Sequence, residues 1–101
     1  QLSRADLSLV AKALKPKAWD PGVHVVEQGA EGKAFFIIRE GEAKVVVKDS
    51  EGVDSDRATL YHNDYFGGHT LIEKRPNVAT IIAKGPHQLV TWSMSRHNFE
   101  L

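Results

Sequence analysis

The order of apolar and polar residues divides the chain into two regions with different periods. Near the start, apolar residues recur at the three- and four-residue spacing of one helix face: Leu7, Val10, Ala11 and Leu14. Ser3 is a favourable N-cap for this helix, and Pro16 cannot continue it. The pattern predicts a helix over residues 2–14, within an N-terminal helical segment spanning residues 1–17.

Beyond residue 17 the period changes from 3.6 to 2. Short runs rich in β-branched and aromatic residues are separated by glycine- and proline-containing turns. The runs cover residues 23–27, 34–39, 43–48, 58–61, 78–83 and 88–92. Many short strands at this spacing predict an antiparallel sandwich or barrel. The polar segment 49–56 is predicted to be a long, mobile loop.

One segment interrupts the strand series. Residues 68–75 lack alternation, which predicts a single helical turn directly after Gly67 and Gly68. A helix start behind two glycines favours an anion, since free N–H groups and the helix dipole point the same way. At the other end of the chain, Ser95 is predicted to cap a second helix over residues 95–101.

Composition narrows the function further. The chain has 101 residues, enough for one small domain, and 13 basic residues balance 13 acidic ones, so no global field favours nucleic acid. There is no cysteine, and no apolar run is long enough for a membrane span. The five histidines match no metal-binding spacing, and no catalytic set is recognisable, so we expect neither a metal site nor an enzyme in this segment.

Two motifs carry a family resemblance over nearly the whole chain. Residues 25–38, VVEQGAEGKAFFII, form a glycine turn and strand, and Gly41 follows. Residues 64–81, DYFGGHTLIEKRPNVATI, have the layout of a phosphate-binding cassette. In these motifs the chain resembles the cyclic-nucleotide-binding domains of cAMP- and cGMP-dependent protein kinases.

The resemblance implies a mainly β fold. We expect an eight-stranded antiparallel β-roll, jelly-roll-like, over residues 18–94, with an N-terminal helix, a short cassette helix and a truncated C-terminal helix. All 101 residues would form one domain, excised from a longer protein. The resemblance also implies a ligand site at the cassette positions Phe66, Gly67, Gly68, His69, Thr70, Leu71, Pro76, Asn77, Val78 and Ala79.

The cassette departs from the family pattern where the ligand binds. Gly68 stands where the family has a glutamate for a ribose hydroxyl, and Asn77 stands where it has an arginine for the cyclic phosphate. Thr70 replaces an alanine, Val78 lacks a hydroxyl that cGMP-preferring sites often carry, and Lys33 stands where an acidic residue is common. The expectation is weak or absent binding of cAMP and cGMP, with no cofactor.

The resemblance implies a regulatory module of a cyclic-nucleotide-dependent kinase, cytoplasmic, with a structural or coupling role. Its partners would be a kinase catalytic domain or neighbouring cyclic-nucleotide-binding domains. Two alternatives remain open. The module could sense cAMP, cGMP or a purine nucleoside, with Arg75, Lys74 or His69 replacing the missing cation or Asn77 serving as a neutral partner. It could instead belong to a channel or a transcription factor.

Overall fold

A computed structural model describes residues 12–68 and 73–95. It contains the eight strands β1 (Lys15–Trp19), β2 (His24–Val26), β3 (Ala34–Glu40), β4 (Glu42–Lys48), β5 (Asp54–Leu60), β6 (Tyr65–Phe66), β7 (Thr80–Lys84) and β8 (Leu89–Ser95). They form two four-stranded antiparallel sheets, ordered β1-β8-β3-β6 and β2-β7-β4-β5. The predicted mainly β fold with eight antiparallel strands is confirmed.

The core lies between the two sheets. Alternate residues of the central strands point inward, which is the period-2 pattern seen in the sequence. The fully packed centre consists of Ile38, Ala43, Ile81, Ala83 and Leu89. Phe66 and Trp19 pack against it from the two edge strands of the first sheet. The ring of Phe36 joins them, stacked on Phe66 at 4.9 Å and edge-on to Trp19 at 5.9 Å.

Strand β1 was not predicted, and it begins inside the segment that was expected to be helical up to residue 17. Lys15, Pro16 and Lys17 are exposed edge-strand residues, so they show no alternation. An edge strand tolerates proline, whose missing N–H removes no bond when it faces away from the neighbour. The indole Nε1 of Trp19 donates to the fully buried Thr91 Oγ1 at 3.1 Å, which ties β1 to β8.

The polar segment 49–56 is shorter as a loop than predicted, because β5 already begins at Asp54. The carboxylate of Asp49 closes the turn, accepting hydrogen bonds from the N–H groups of Glu51 and Val53, both at 2.9 Å. The two-residue strand β6 was also missed. The predicted N-terminal and C-terminal helices lie largely outside the described residues, and Ser95 is the last residue of β8.

Gly67 follows β6 and lies close to the backbone of strand β3. Its φ is 89°, a conformation that side chains with a Cβ rarely adopt. A Cβ on Gly67 would also lie well inside van der Waals contact of the Ala34 carbonyl oxygen. The glycine therefore sets how closely the cassette approaches strand β3.

Replacing Gly67 with alanine should destabilise the domain more than the same change at Gly29. Both glycines have positive φ, 89° and 85°, but a Cβ on Gly29 meets nothing within 4 Å. The shared backbone strain therefore cancels, and the clash with a rigid carbonyl should add about 1–3 kcal/mol at Gly67. Urea denaturation of the two variants measures the difference, and equal losses would contradict the close approach.

The alternation in β3 gives a second test. Ile38 is 0 % exposed, whereas its neighbour Ile37 is only partly buried on the opposite face. Truncation of a fully packed isoleucine to alanine costs about 2–5 kcal/mol, because it removes apolar contacts and leaves a cavity. Ile38→Ala should therefore lower the free energy of unfolding clearly more than Ile37→Ala. The reverse order would mean that the inward face of β3 is assigned incorrectly.

Candidate functional site

The cassette faces a turn that is some fifty residues away in sequence. The turn contains Gly29, with φ of 85°, and lies between β2 and β3. Gly29 N–H donates to the carbonyl of Asn77 at 2.8 Å, and the N–H of Asn77 donates to the carbonyl of Ala30 at 2.8 Å. An isolated β-bridge between Glu31 and Pro76 extends this pairing. The second half of the cassette is therefore fixed by backbone contacts to residues 29–31.

The side chain of Asn77 strengthens the same contact. Its Nδ2 donates to the backbone carbonyl of Glu27 at 3.0 Å. The same carbonyl also accepts a hydrogen bond from Ala30 N–H at 3.2 Å. It therefore both closes the turn and holds Asn77 of the cassette. This amide-to-backbone bond is a structural role that asparagine can fill at a strand start.

Gln28, in the same turn, is bonded to two other strands of the sheet that contains β2. Its side-chain amide donates to the carbonyl of Lys48 at 2.9 Å and accepts from the N–H of Lys48 at 2.7 Å. Its backbone N–H donates to Thr80 Oγ1 at 3.0 Å. Gln28 thereby links the turn to the end of β4 and the start of β7.

Two small adjoining clefts lie between the turn and the cassette. The larger, of about 190 Å³, is lined by Val25, Val26, Glu27, Ala30, Glu31, Lys33, Ala34, Phe36 and Asn77. The smaller, of about 100 Å³, is lined by Val26, Phe66, Gly67, Asn77, Val78, Ala79 and Ile81. Val26 and Asn77 belong to both, so they separate the two halves. We call the pair the cassette cleft.

Charge in the cassette cleft does not favour an anion. Among its described lining residues, Glu27 and Glu31 are acidic, and Lys33 is the single basic residue. Arg75, a candidate replacement cation, lines neither cleft, and its Nε lies 3.0 Å from Glu73 Oε2. Lys74 also lines neither cleft and has a positive φ of 56°. His69 lies outside the described residues.

The structure brings together only part of the predicted ligand site. Phe66, Gly67, Asn77, Val78 and Ala79 line the cleft. Pro76 contributes through its bridge to Glu31. Within the cleft, Ala79 is largely core, at 9 % exposed, whereas Val78 is 76 % exposed. Thr70 and Leu71 lie outside the described residues, as does the central part of the predicted helical turn.

Gly68 borders the site beside the ring of Phe35. A Cβ at Gly68 would lie 3.2 Å from Phe35 Cδ1 and Cε1, and no positive φ is present. A side chain can therefore enter here if the ring of Phe35 shifts by a few tenths of an ångström. The glycine is not required by the backbone.

Sequence reasoning missed the acidic side of the cleft. It identified the cassette positions and Lys33, but it did not place Glu27 and Glu31 beside Asn77. The glycine turn at Gly29 was the available signal, since its family counterpart is part of the resemblance. Among the described residues, no cluster of histidine, aspartate and glutamate could hold a metal ion. No helix among them is long and apolar enough to cross a membrane.

Several solved structures similar to this chain are of protein kinase A regulatory subunits. The regulatory subunit of a cAMP-independent protein kinase A from Trypanosoma brucei, a triple-substitution variant bound to cAMP in its A site, is 31 % identical with a TM-score of 0.83, over 98 % of this chain. The Toxoplasma gondii protein kinase A regulatory domain, co-crystallised with cAMP, is 29 % identical with a TM-score of 0.82, over 91 % of this chain.

A third similar structure holds a different ligand. The regulatory subunit of a cAMP-independent protein kinase A from Trypanosoma cruzi, bound to guanosine, is 26 % identical with a TM-score of 0.81, over 90 % of this chain. The chain spans only 36 %, 35 % and 31 % of the length of these three structures. It is thus similar to about a third of each.

A sequence model of the cyclic nucleotide-binding domain matches residues 16–100. This range contains all eight strands except the first residue of β1, together with the turn at Gly29 and the whole cassette. The chain belongs to the cyclic nucleotide-binding domain family.

Proposed function

We propose that the chain is a regulatory module of a cyclic-nucleotide-dependent protein kinase whose own cleft binds cAMP and cGMP weakly or not at all. The observation that carries this proposal is the state of Asn77. It occupies the position of the family's phosphate-binding arginine, and its Nδ2 is bonded to the backbone of Glu27. A neutral amide engaged in holding the turn cannot neutralise a cyclic phosphate.

Electrostatics predict a large loss of affinity for a cyclic nucleotide. Leaving a buried anion without its partner costs about 3–5 kcal/mol, and the planar bidentate contact of arginine has no equivalent in asparagine. Even a net loss of ~4 kcal/mol in binding free energy lowers the affinity roughly a thousandfold. Among the described lining residues of the cleft, Lys33 is the single cation, and Glu27 and Glu31 are acidic.

The Trypanosoma brucei variant supports the same interpretation. Its three substitutions turn a glutamate into alanine, a threonine seven positions later into arginine, and the next valine into alanine, and that variant holds cAMP. In this chain Thr70, Asn77 and Val78 have the same spacing, and none of them is alanine or arginine. We infer that this cassette, like the unsubstituted one, lacks the residues suited to a cyclic phosphate.

The role that remains is coupling between domains. All three similar structures described above belong to protein kinase A regulatory subunits, so the proposed partners are a kinase catalytic domain and neighbouring cyclic-nucleotide-binding domains. The module would then be regulatory rather than catalytic, and we expect it to be cytoplasmic. The turn-to-cassette bonds support this role because they fix the second half of the cassette to the turn through the chain's own groups.

A purine nucleoside is the second candidate ligand. The Trypanosoma cruzi structure contains guanosine, which has no phosphate. The cassette cleft suits an uncharged ligand, because its apolar walls include Val26 and Phe36 and Lys33 is the single basic residue in its described lining. The cleft is small, its two parts together falling just below the roughly 300 Å³ typical of ligand pockets.

Restoring the two family residues should create cyclic-nucleotide binding. Gly68→Glu with Asn77→Arg supplies a ribose acceptor and a guanidinium, and the affinity for cAMP should rise by roughly a thousandfold. Isothermal titration calorimetry measures it. Gly68→Glu with Asn77→Gln is the matched control, since it adds length at position 77 without charge.

Two results would contradict this account. Submicromolar cAMP or cGMP binding by the unsubstituted chain would show that another group neutralises the phosphate. A double variant that unfolds with normal cooperativity and still binds neither nucleotide would show that the missing residues are not the cause.

Guanosine and cGMP form a matched ligand pair, because they share base and ribose and differ by the cyclic phosphate. The unsubstituted chain should bind guanosine more tightly than cGMP, and Asn77→Arg should reverse the order. The reason is that the phosphate meets no compensating cation until arginine is present. Competition titration at constant ionic strength measures the two affinities. Tighter binding of cGMP by the unsubstituted chain would exclude the nucleoside candidate.

A further inference from the structure

The outer part of the β4–β5 hairpin extends past the strand that pairs with its inner part. β7 pairs with β4 as far as Val46, which lies opposite Thr80, the first residue of β7. Beyond this point β4 and β5 continue to pair with each other, up to Lys48 and Asp54. Residues 47–54 therefore form a projecting part of the hairpin, which we call the hairpin tip.

The hairpin tip contains a turn that is closed by its own hydrogen bonds. The N–H of Asp49 donates to the carbonyl of Val53 at 3.0 Å, and the N–H of Gly52 donates to the carbonyl of Asp49 at 3.0 Å. The Asp49 carboxylate accepts two more hydrogen bonds, from the N–H groups of Glu51 and Val53. Because these bonds all converge on Asp49, the turn keeps its shape and responds as one unit when its base is displaced.

Gln28 takes the place of a strand neighbour at the base of the hairpin tip. Its side-chain amide bonds both backbone groups of Lys48, donating to the carbonyl at 2.9 Å and accepting from the N–H at 2.7 Å. A longer β7 would use these same groups of β4 for ladder hydrogen bonds. The hairpin tip is thus joined to the turn at Gly29 through the side chain of Gln28.

The cassette holds the backbone around Gln28 at two places. The N–H of Gln28 donates to Thr80 Oγ1 at 3.0 Å. The carbonyl of the preceding residue, Glu27, accepts from Asn77 Nδ2 at 3.0 Å. Asn77 and Thr80 both belong to the second half of the cassette, residues 76–81. The position of Gln28 therefore depends on this half of the cassette, although its side chain is bonded to the hairpin.

We propose that Gln28 is a coupling residue that passes a change in the second half of the cassette to the hairpin tip. The proposal rests on the coupling role proposed above and names the element that carries the change out of the site. A ligand that displaces Asn77 or Thr80 alters the backbone at Gln28. The two bonds from Gln28 to Lys48 then either shift the hairpin tip or break. Val53 in the tip is 57 % exposed, so a neighbouring domain can contact it.

Amide hydrogen exchange of the full chain without ligand, measured by NMR, tests the coupling through a double-mutant cycle. Asn77→Ala with Thr80→Val removes the two side-chain bonds from the cassette. This change should lower the exchange protection of the Asp49 and Val53 amides about fivefold, the scale of one net hydrogen bond. In the Gln28→Ala background it should lower that protection by less than about twofold, because the connection is already broken.

Two further variants sharpen the cycle. Gln28→Glu keeps an acceptor for the N–H of Lys48 but loses the donor to its carbonyl, so its effect should lie between those of glutamine and alanine. Asn77→Ala alone should act in the same direction as the double variant, which keeps the test possible if the double variant does not fold.

Controls separate coupling from a general loss of stability. Gln88→Ala removes an exposed side-chain hydrogen bond of 2.7 Å, to Asp20, and the Gln88 carbonyl lies beside Gly41 at the opposite end of β4. It should change protection in the hairpin tip by less than about twofold. The amide of Ile38, bonded to the Asp64 carbonyl at 2.8 Å in the core, reports global unfolding.

Two results would overturn the proposal. In the first, Asn77→Ala with Thr80→Val lowers protection in the hairpin tip no more than Gln88→Ala does. In the second, it lowers that protection equally with and without the Gln28 side chain. Either result would leave the proposal on nucleotide binding unaffected, because the measurement uses no ligand.

Discussion

The geometry of the cassette depends on how residues 27–30 are held against Asn77. Two backbone hydrogen bonds and one from the Asn77 amide join segments that are fifty residues apart. The side chain of Asn77 is uncharged, and its amide closes the turn. One side chain therefore provides a fixed bond between the cassette and the turn.

Most of the roll could be predicted from the sequence because buried strands alternate. β3 and β7 bury every second side chain over their apolar runs, which show this directly in the sequence. β1 and the first half of β5 were missed for one reason: they are edge strands exposed on both faces, so Lys15 to Lys17 and Asp54 to Asp56 carry no alternating signal. Pairing with a neighbour, which no local pattern reveals, is what makes them strands.

The candidate site was also only partly predictable from the sequence. The cassette positions followed from motif spacing, and the importance of Asn77 was visible because one residue type stood where another was expected. The presence of Glu27 and Glu31 in the cleft lining could not be predicted from the sequence, because a turn distant in sequence brings them there. The similar structures are 26–31 % identical with TM-scores of 0.81–0.83. The apolar core thus preserves the roll at this level of identity.

The hydrogen bonds of Gln28 mechanically link the turn to the β4–β5 hairpin. Its amide makes both hydrogen bonds that a strand neighbour would make to Lys48, at a point where β7 has not yet begun. The next residue back, Glu27, holds Asn77. The cassette at Asn77 and the end of the β4–β5 hairpin at Lys48 are therefore connected through two adjacent residues, Glu27 and Gln28. If the cassette around Asn77 moves, either these hydrogen bonds break or the β4–β5 hairpin moves with it. A displacement at the cassette is therefore transmitted to the hairpin.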